Sequence, residues 1–447
     1  MRFKAFFALF AVIALVGGCA TRPSKVTPAE AQIAALARAA VDRSFAPGVV
    51  VLVKERDRAP YAYAYGQRTI ETRAPLRNDD LFRIYSMTKP VTVAAAMILV
   101  DDGVIKLDDP VSSYIPSFAN ARVYAGGDTI ATMQTAPLIR PLTIRDLMRH
   151  TAGMTYKSAD PHPPHWLYVL RGVDTGSGAD IPPQDGSPPV SSSADLADRI
   201  AAIPLLHQPG ARFSYGNAID VLGRVIEIAA GEQLGDFMER RLFAPLGMKD
   251  TSFRVDAEDA PRMTAAYSAK ASAPVTGGVL DAAKLADLDR GTLTLADPPE
   301  NGVFARERAM HYGGAGLMST APDYLRFAEM LLNGGALGGV RVLSEGAVAE
   351  MTREQLSADV LAASPALTQE GLTFGLGVAI KKHRAVARTK APVGSYFWGG
   401  AASTNFWVDP ENRIVGVVMT QVFGGDFRTY YLEMLRAIYP DDADPGQ

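Results

Sequence analysis

In the stretch IYSMTKPVTVAAAMILVDDG, a serine and a lysine, Ser86 and Lys89, stand three residues apart where an apolar run begins. On a helix, side chains three apart share one face in adjacent turns, so the Ser86 hydroxyl and the Lys89 amine can meet. Pro90 has no N–H to donate and fits the first turn or so of a helix, which puts Ser86 at or near its N-terminus. A lysine facing an apolar site there is desolvated and meets the positive end of the helix dipole. Both effects disfavour the ammonium, and a neutral amine can take the serine proton. Serine alone is a weak nucleophile; beside such a lysine it is an activated one. One S-x-x-K match arises about once by chance at this composition, and a helix cap with a surface lysine uses the same residues. The chemistry therefore depends on what accompanies the pair.

The 447 residues suffice for one large domain or two ordinary ones, and 48% hydrophobic with 21% charged residues describes a globular protein with a substantial core. A net charge of −3 excludes a basic surface for nucleic acid. The N-terminus reads differently from the rest. MRFK is a positive n-region, and AFFALFAVIALVGG is an apolar stretch short for a membrane span. It ends at Cys19, the single cysteine of the chain. LVGGC resembles a bacterial lipobox, in which the thiol is lipidated and the preceding peptide removed; a plain signal peptide is the alternative. Ala20 resembles an outer-membrane sorting residue. The expectation is a signal peptide over 1–18, a tether over 19–30, and a lipid-anchored protein at the periplasmic face of the outer membrane of a bacterial envelope. With one cysteine there is no internal disulfide, so packing must supply the stability.

AEAQIAALARAAVDRSF reads as a helix, and GVVVLVKERDRAPYAYAYGQR as two strands around a charged turn. After the Ser86 stretch the chain reads mainly helical to about residue 339. The Pro/Gly/Ser/Asp-rich stretch from Asp160 to Ser193 reads as a long loop, and 268–302 is similarly weak in periodicity. Strand patterns return in LTFGLGVAIKK, GSYFWGG, STNFWVDP and RIVGVVMTQ, followed by a helix in RTYYLEMLRAIY. Strands at both ends with helices between predict an α/β protein of α+β type. One antiparallel sheet, flanked by helices, is built from about 31–100 and 341–440, and 101–340 forms a large, mainly helical insertion.

FRIYSMTKP resembles the first motif of the serine β-lactamase and penicillin-binding-protein superfamily, closest to its class C β-lactamase-like esterases, the family VIII carboxylesterases. FSYGNAIDVLGRVIEIAAGE resembles the second, Tyr-x-Asn, with Tyr215 and Asn217. SYFWGGAASTNFWVDPENRIVGVVMTQ carries the third in its esterase form, Trp398, Gly399 and Gly400. LTIRDLMRHTAGM and HYGGAGLMSTAPDYLRFAEMLLNGG resemble further family segments, and the matches fall in family order over nearly all of 31–440. The resemblance implies a β-lactamase/penicillin-binding-protein-like fold with catalytic Ser86, Lys89 and Tyr215. Tyr215 would be a second proton handler bonded to Ser86 or Lys89, and Asn217 would hold Lys89 or the substrate carbonyl. It also implies an oxyanion hole from the N–H groups of Ser86 and Ala401, with Trp398, Gly399 and Gly400 lining the substrate site. From the residues alone, Gly399-Gly400 is equally a β-bulge and Tyr215 a core tyrosine.

Two other clusters compete for attention. Asp160, His162 and His165 could ligate a metal, but the prolines and the missing fourth ligand favour a lid-like loop. KKHRAVARTK, from Lys381, reads as a solvated hairpin, or else a contact with anionic lipid. His150 reads as structural. No G-x-S-x-G elbow or phosphate-cradling glycine loop is found. The expected protein is a serine hydrolase acting on a small-molecule ester, with no cofactor, no metal and no nucleic acid, its membrane contact being the N-terminal lipid. A β-lactamase, a D-alanyl-D-alanine carboxypeptidase or D-amino peptidase, an acyltransferase, and a non-catalytic envelope binding lipoprotein are the rivals.

Overall fold

A computed structural model of the chain describes residues 27–157, 162–177, 181–270, 291–305, 308–383, 390–425 and 427–440. Cys19 with its leader, Asp160, and the centre of the basic run (384–389) lie outside them. The described chain opens on helix α1 (Pro28–Asp42), whose start is set by Thr27 and Glu30 in a reciprocal capping box, with Pro28 at the first helical position. Three strands follow: β1 (Gly48–Glu55), β2 (Tyr61–Thr69) and β3 (Ala74–Pro75). Five more come from the end of the chain, and together they make an eight-stranded sheet. Its order is Leu372–Phe374, Ala379–Lys381, Tyr396–Gly399, Asn405–Asp409, Ile414–Met419, β1, β2, β3, with every neighbouring pair antiparallel. The closure joins the two ends of the sequence: Val50 lies opposite Met419 and Glu55 opposite Ile414.

β1 is buried on both faces, and its alternation sorts side chains into two cores. Val49 and Val51 face α1 and the last helix, Phe427–Ile438, together with Trp407 and Val418. Val50 and Leu52 face the other core, built from helix α2 (Thr88–Asp101), helix α6 (Ala218–Ala230) and the helix Ala321–Leu332. α2 is buried along nearly its whole length, which is why its sequence is apolar all round rather than on one stripe.

The segment between residues 101 and 340 is less purely helical than its sequence predicts. Arg122–Gly126 pairs with Gln134–Pro137, and Ala266–Ala269 pairs with Leu293–Asp297. Phe82–Arg83 pairs with Met318–Ser319. Strands of two to five residues are too short to leave a readable alternation. The stretch from Asp160 to Ser193 also departs from expectation, since it contains helix α4 (Pro163–Leu170) with Leu167 and Tyr168 buried. Pro163 and Pro164 occupy its first turn, where a missing N–H costs nothing; the prolines that signalled a loop instead start a helix.

Helix α3 (Ile144–Met148) packs against α6. Asp146, fully buried, pairs with Arg140 at 2.6 Å and Arg149 at 2.9 Å. Burial would raise its carboxyl, but the two guanidiniums outweigh this and hold it below the usual range. His207 braces the segment leading to Tyr215: Nδ1 lies 2.9 Å from the Gln208 carbonyl and Nε2 lies 3.0 Å from the Ser214 hydroxyl.

Burial lowers His207 from its usual 6.5 to about 4. Between these values the unfolded chain binds a proton that the folded chain does not. Stability from this residue is therefore complete above pH 6.5 and is lost as pH falls to about 4, a span worth about 3 kcal/mol. Asp323, pushed up to about 6 by burial, works in the opposite sense, its contribution falling as pH rises from its ordinary range to about 6. The difference between parent and His207→Gln isolates the histidine. Denaturant midpoints from pH 7 to pH 4 should fall more steeply for the parent, and parallel curves would refute the assignment.

Candidate active site

Ser86 occupies a single turn of 3-10 helix, Tyr85–Met87, directly ahead of α2, where Pro90 is the third helical residue. The turn is held firmly. Tyr85 takes φ +43°, a left-handed conformation costing a non-glycine residue about 1–2 kcal/mol. Its ring is clamped edge-on by Phe304 at 5.5 Å and Phe423 at 5.4 Å. The Gln421 side chain accepts from the Arg83 N–H at 3.2 Å and donates to the Arg83 carbonyl at 3.0 Å. Arg83 itself is fully buried and pairs with Asp297 at 2.7 Å.

Lys89 is 0% exposed. Its Nζ donates to Ser86 Oγ at 3.2 Å and to the Gly314 carbonyl at 2.7 Å. It also lies 4.7 Å from the ring centre of Tyr215 and 5.5 Å from that of Tyr156. Beyond Gly314 stands Asp220, in the first turn of α6 and itself buried. One carboxylate oxygen accepts from the Gly314 N–H at 2.9 Å, and the other accepts from the Thr175 hydroxyl at 2.7 Å. Burial raises the Asp220 carboxyl, while the Lys89 charge and these two bonds pull it back.

The structure brings Tyr215, Asn217 and Trp398 to the same place, with differences from the expected contacts. The Tyr215 hydroxyl is buried and bonds neither Ser86 nor Lys89; the lysine faces the ring instead. Asn217 does not hold Lys89 through a hydrogen bond either. Its amide donates to the Val173 carbonyl at 3.1 Å, and its own oxygen is buried without a partner. The Trp398 ring packs 5.4 Å from Tyr215 and 5.3 Å from Phe374, with a buried, unpartnered indole N–H. Buried polar groups are ordinarily satisfied, so such orphans beside one nucleophile mark where a bound molecule or water supplies partners.

The strand Tyr396–Gly399 ends against the Ser86 turn. A methyl group on Gly400 would overlap the Ile84 carbonyl oxygen, so only glycine permits this approach. Gly399 is confined in the same way by the Asn405 side chain and the Thr404 carbonyl. Among the described residues, neither the Ser86 N–H nor the Ala401 N–H donates to another group of the protein. Free N–H groups of this kind are what receives the oxygen of a carbonyl under attack.

The two histidines weighed as metal ligands point to different partners. His165 faces the Tyr156 carbonyl at 3.0 Å while the His162 ring packs on Tyr124, so the two histidines do not converge. Among the described residues no group of three or more His, Cys, Asp or Glu side chains is placed to hold a metal. His150 is fully buried at φ +56°, its ring 4.8 Å from Tyr215, and burial followed by the Lys89 charge pushes it well below its usual value. A cavity of about 1080 Å³ lies elsewhere, lined by Arg224, Glu227, Asp236, Lys249 and His311. Its Glu227 is already occupied by Ser193, Arg224 and the Leu234 N–H. Sequence reasoning missed Tyr156, Thr175, Asp220 and Gly314. Only Asp220, one turn beyond Asn217 and the single polar residue in the run from Ala218 to Gly223, carried a usable signal.

A family model described as Beta-lactamase matches residues 33–438. Protein Rv1367c of Mycobacterium tuberculosis is 32% identical, over 86% of this chain and 88% of that protein. Esterase EstB of Burkholderia gladioli is 29% identical, over 81% of this chain and 82% of the relative. Among solved structures, EstCE1, described as a hydrolase with promiscuous acyltransferase activity, superposes with a TM-score of 0.71 at 27% identity, covering 92% of this chain and 98% of that one.

The Gly400 contact yields a direct test. Gly400→Ala should push the strand end from Ile84 and part the two free N–H groups. Labelling of Ser86 by a fluorophosphonate should slow by about a hundredfold, the scale of losing one such donor, while the melting temperature changes by a few degrees. An unchanged labelling rate would show that the close approach is not needed.

Proposed function

The chain belongs to the Beta-lactamase family, and from that premise we propose that it is a serine hydrolase cleaving short-chain carboxylic esters through an acyl-serine intermediate. The observation that carries this reading is a wholly buried lysine amine 3.2 Å from a partly buried serine hydroxyl. In the first step Ser86 Oγ bonds to the ester carbonyl carbon, and its proton passes to Lys89 with Tyr215 beside it. The carbonyl oxygen, now negative, is received by the N–H groups of Ser86 and Ala401. When the intermediate collapses, the carbon–oxygen bond to the alcohol breaks, the Tyr215 hydroxyl gives its proton to the departing oxygen, and the proton held on Lys89 passes to the tyrosinate, so that both groups are reset. Water then attacks the acyl-serine by the same route, and the acid leaves. The unpartnered Tyr215 hydroxyl fits this role, because catalytic hydrogen bonds are often completed only when substrate is bound.

Esters are favoured over β-lactams by the third motif. β-Lactamases usually carry Lys-Thr-Gly, whose cation and hydroxyl receive the drug's carboxylate; here Trp398 and Gly399 offer neither. A charge-assisted hydrogen bond is worth roughly 1.5–3 kcal/mol, so its loss should weaken carboxylate-bearing substrates by about ten- to a hundredfold. Trp398 between Tyr215 and Phe374 gives an apolar wall suited to uncharged acyl or alcohol groups. The similarity to EstB, an esterase, and to EstCE1, a hydrolase with promiscuous acyltransferase activity, supports the same reading. EstCE1 also favours a second one, in which an alcohol replaces water in the deacylation step.

On purified protein lacking residues 1–19, a nitrophenyl butyrate should be turned over with higher kcat/KM than any cephalosporin. The reverse order would move the protein to the β-lactamases, and faster acyl loss with added alcohol would mark a transferase. A fluorophosphonate should attach to Ser86 alone. Ser86→Ala should abolish turnover, with Lys89→Ala and Tyr215→Phe each costing nearly as much; a label on another serine would refute the mechanism. We further propose that the protein is anchored in the bacterial envelope through lipidated Cys19. Cys19→Ser should lose the label from palmitate fed to a bacterial host, and equal labelling of mutant and parent would end that proposal.

A further inference from the structure

Asp220 is a buried carboxylate that the acylation cycle does not use. We infer that Asp220 is a positioning residue for Lys89, acting through Gly314. Its carboxylate fixes the residue whose carbonyl holds the lysine amine, and it sets a buried negative charge opposite that amine. The inference rests on the reading of Ser86 and Lys89 as the acylation pair.

The geometry is a short relay. One Asp220 oxygen accepts from the Gly314 N–H at 2.9 Å, and the carbonyl of the same residue accepts from Lys89 Nζ at 2.7 Å. The Thr175 hydroxyl donates to the second carboxylate oxygen at 2.7 Å and fixes its orientation. Gly314 must be glycine for this to form: a Cβ there would lie 2.5 Å from Asp220 Oδ2. Lysine has four rotatable bonds and a point charge, so a buried lysine meets a serine hydroxyl reliably only if its other contacts are rigid. The Gly314 carbonyl supplies the rigid contact, and Asp220 makes it rigid. A merely structural carboxylate could have been replaced by an apolar side chain of similar size at little cost to folding, since burying a charge is itself unfavourable. The titratable groups facing Asp220 are Lys89 from α2 and Tyr156 from the segment after α3; Tyr215 packs against Tyr156, and His150 lies beyond it.

Three variants separate the parts of the inference. Asp220→Asn keeps the shape and the acceptor toward Gly314 but removes the charge. Asp220→Ala removes both, and Gly314→Ala breaks the relay from its other side. Each is assayed with nitrophenyl butyrate across about pH 5 to 10, the range in which acid and base groups of the free enzyme show in kcat/KM, with melting temperature and fluorophosphonate labelling as parallel readouts. Asp220→Ala and Gly314→Ala should lose about ten- to a hundredfold in kcat and label more slowly at Ser86. Asp220→Asn should lose less, while its acid limb moves to lower pH by about half a unit or more, because the ammonium has lost the charge that favoured it. Parental kcat and an unmoved acid limb in Asp220→Asn and Gly314→Ala would overturn the inference. So would losses confined to melting temperature. If Asp220→Ala does not fold, the other two decide. Failure of the parent itself to label at Ser86 would instead overturn the acyl-serine reading on which the inference stands.

Discussion

A lysine with no solvent exposure is the constraint around which the rest of this molecule is arranged. Removing an amine from water is costly unless every direction it faces is occupied by something that answers it. Lys89 is answered by the Ser86 hydroxyl, the Gly314 carbonyl and the face of the Tyr215 ring. Those three partners come from three distant parts of the chain. Burying Lys89 therefore requires the helical segment, the glycine-rich stretch before the helix Ala321–Leu332, and the start of α2 to be docked together. The same burial that burdens folding leaves the Ser86 hydroxyl beside an amine shielded from water.

The sheet serves this arrangement from the other side. Because the C-terminal strands pair with β1, the strand Tyr396–Gly399 runs to the Ser86 turn, and two glycines let the backbones close up. The turn is held in an unfavourable conformation at Tyr85 by aromatic clamping and by the Gln421 grip on the Arg83 backbone. Strain of this kind persists only where surrounding structure over-determines it. Here, among the described residues, it leaves the Ser86 N–H without a protein acceptor.

Around the nucleophile the walls are aromatic and the polar groups within them are incompletely satisfied. Tyr215, Asn217 and Trp398 each present a buried polar atom without a protein partner. Each would carry a desolvation cost of order 1–3 kcal/mol if left so, which a carbonyl, an alcohol or water in the site would relieve. His150 beneath Tyr215 is pushed well below its usual value, first by burial and then by the Lys89 charge. The site is thus polar in its centre and apolar at its rim.

Much of this was legible in the residues. The Ser86–Lys89 spacing with Pro90 placed the pair at a helix start, and the strand patterns at both ends specified a sheet closed between the two termini. The order of the three motifs identified the fold before any contact was known. Local chemistry could do this because spacing on a helix and alternation on a strand are properties of a few neighbouring residues. What tertiary structure alone decided lies in contacts between residues far apart in sequence. No pattern announced that Asp220 reaches Gly314, or that Tyr156 shares the lysine with Tyr215. None announced that Asn217 would bond the Val173 carbonyl instead of Lys89. Prolines at 163 and 164 read as loop because their role depends on whether a helix follows, and only the packing of Leu167 and Tyr168 settles that. A side chain's type limits the bonds it can make; which of them it makes is set by what the fold brings within 3 Å of it.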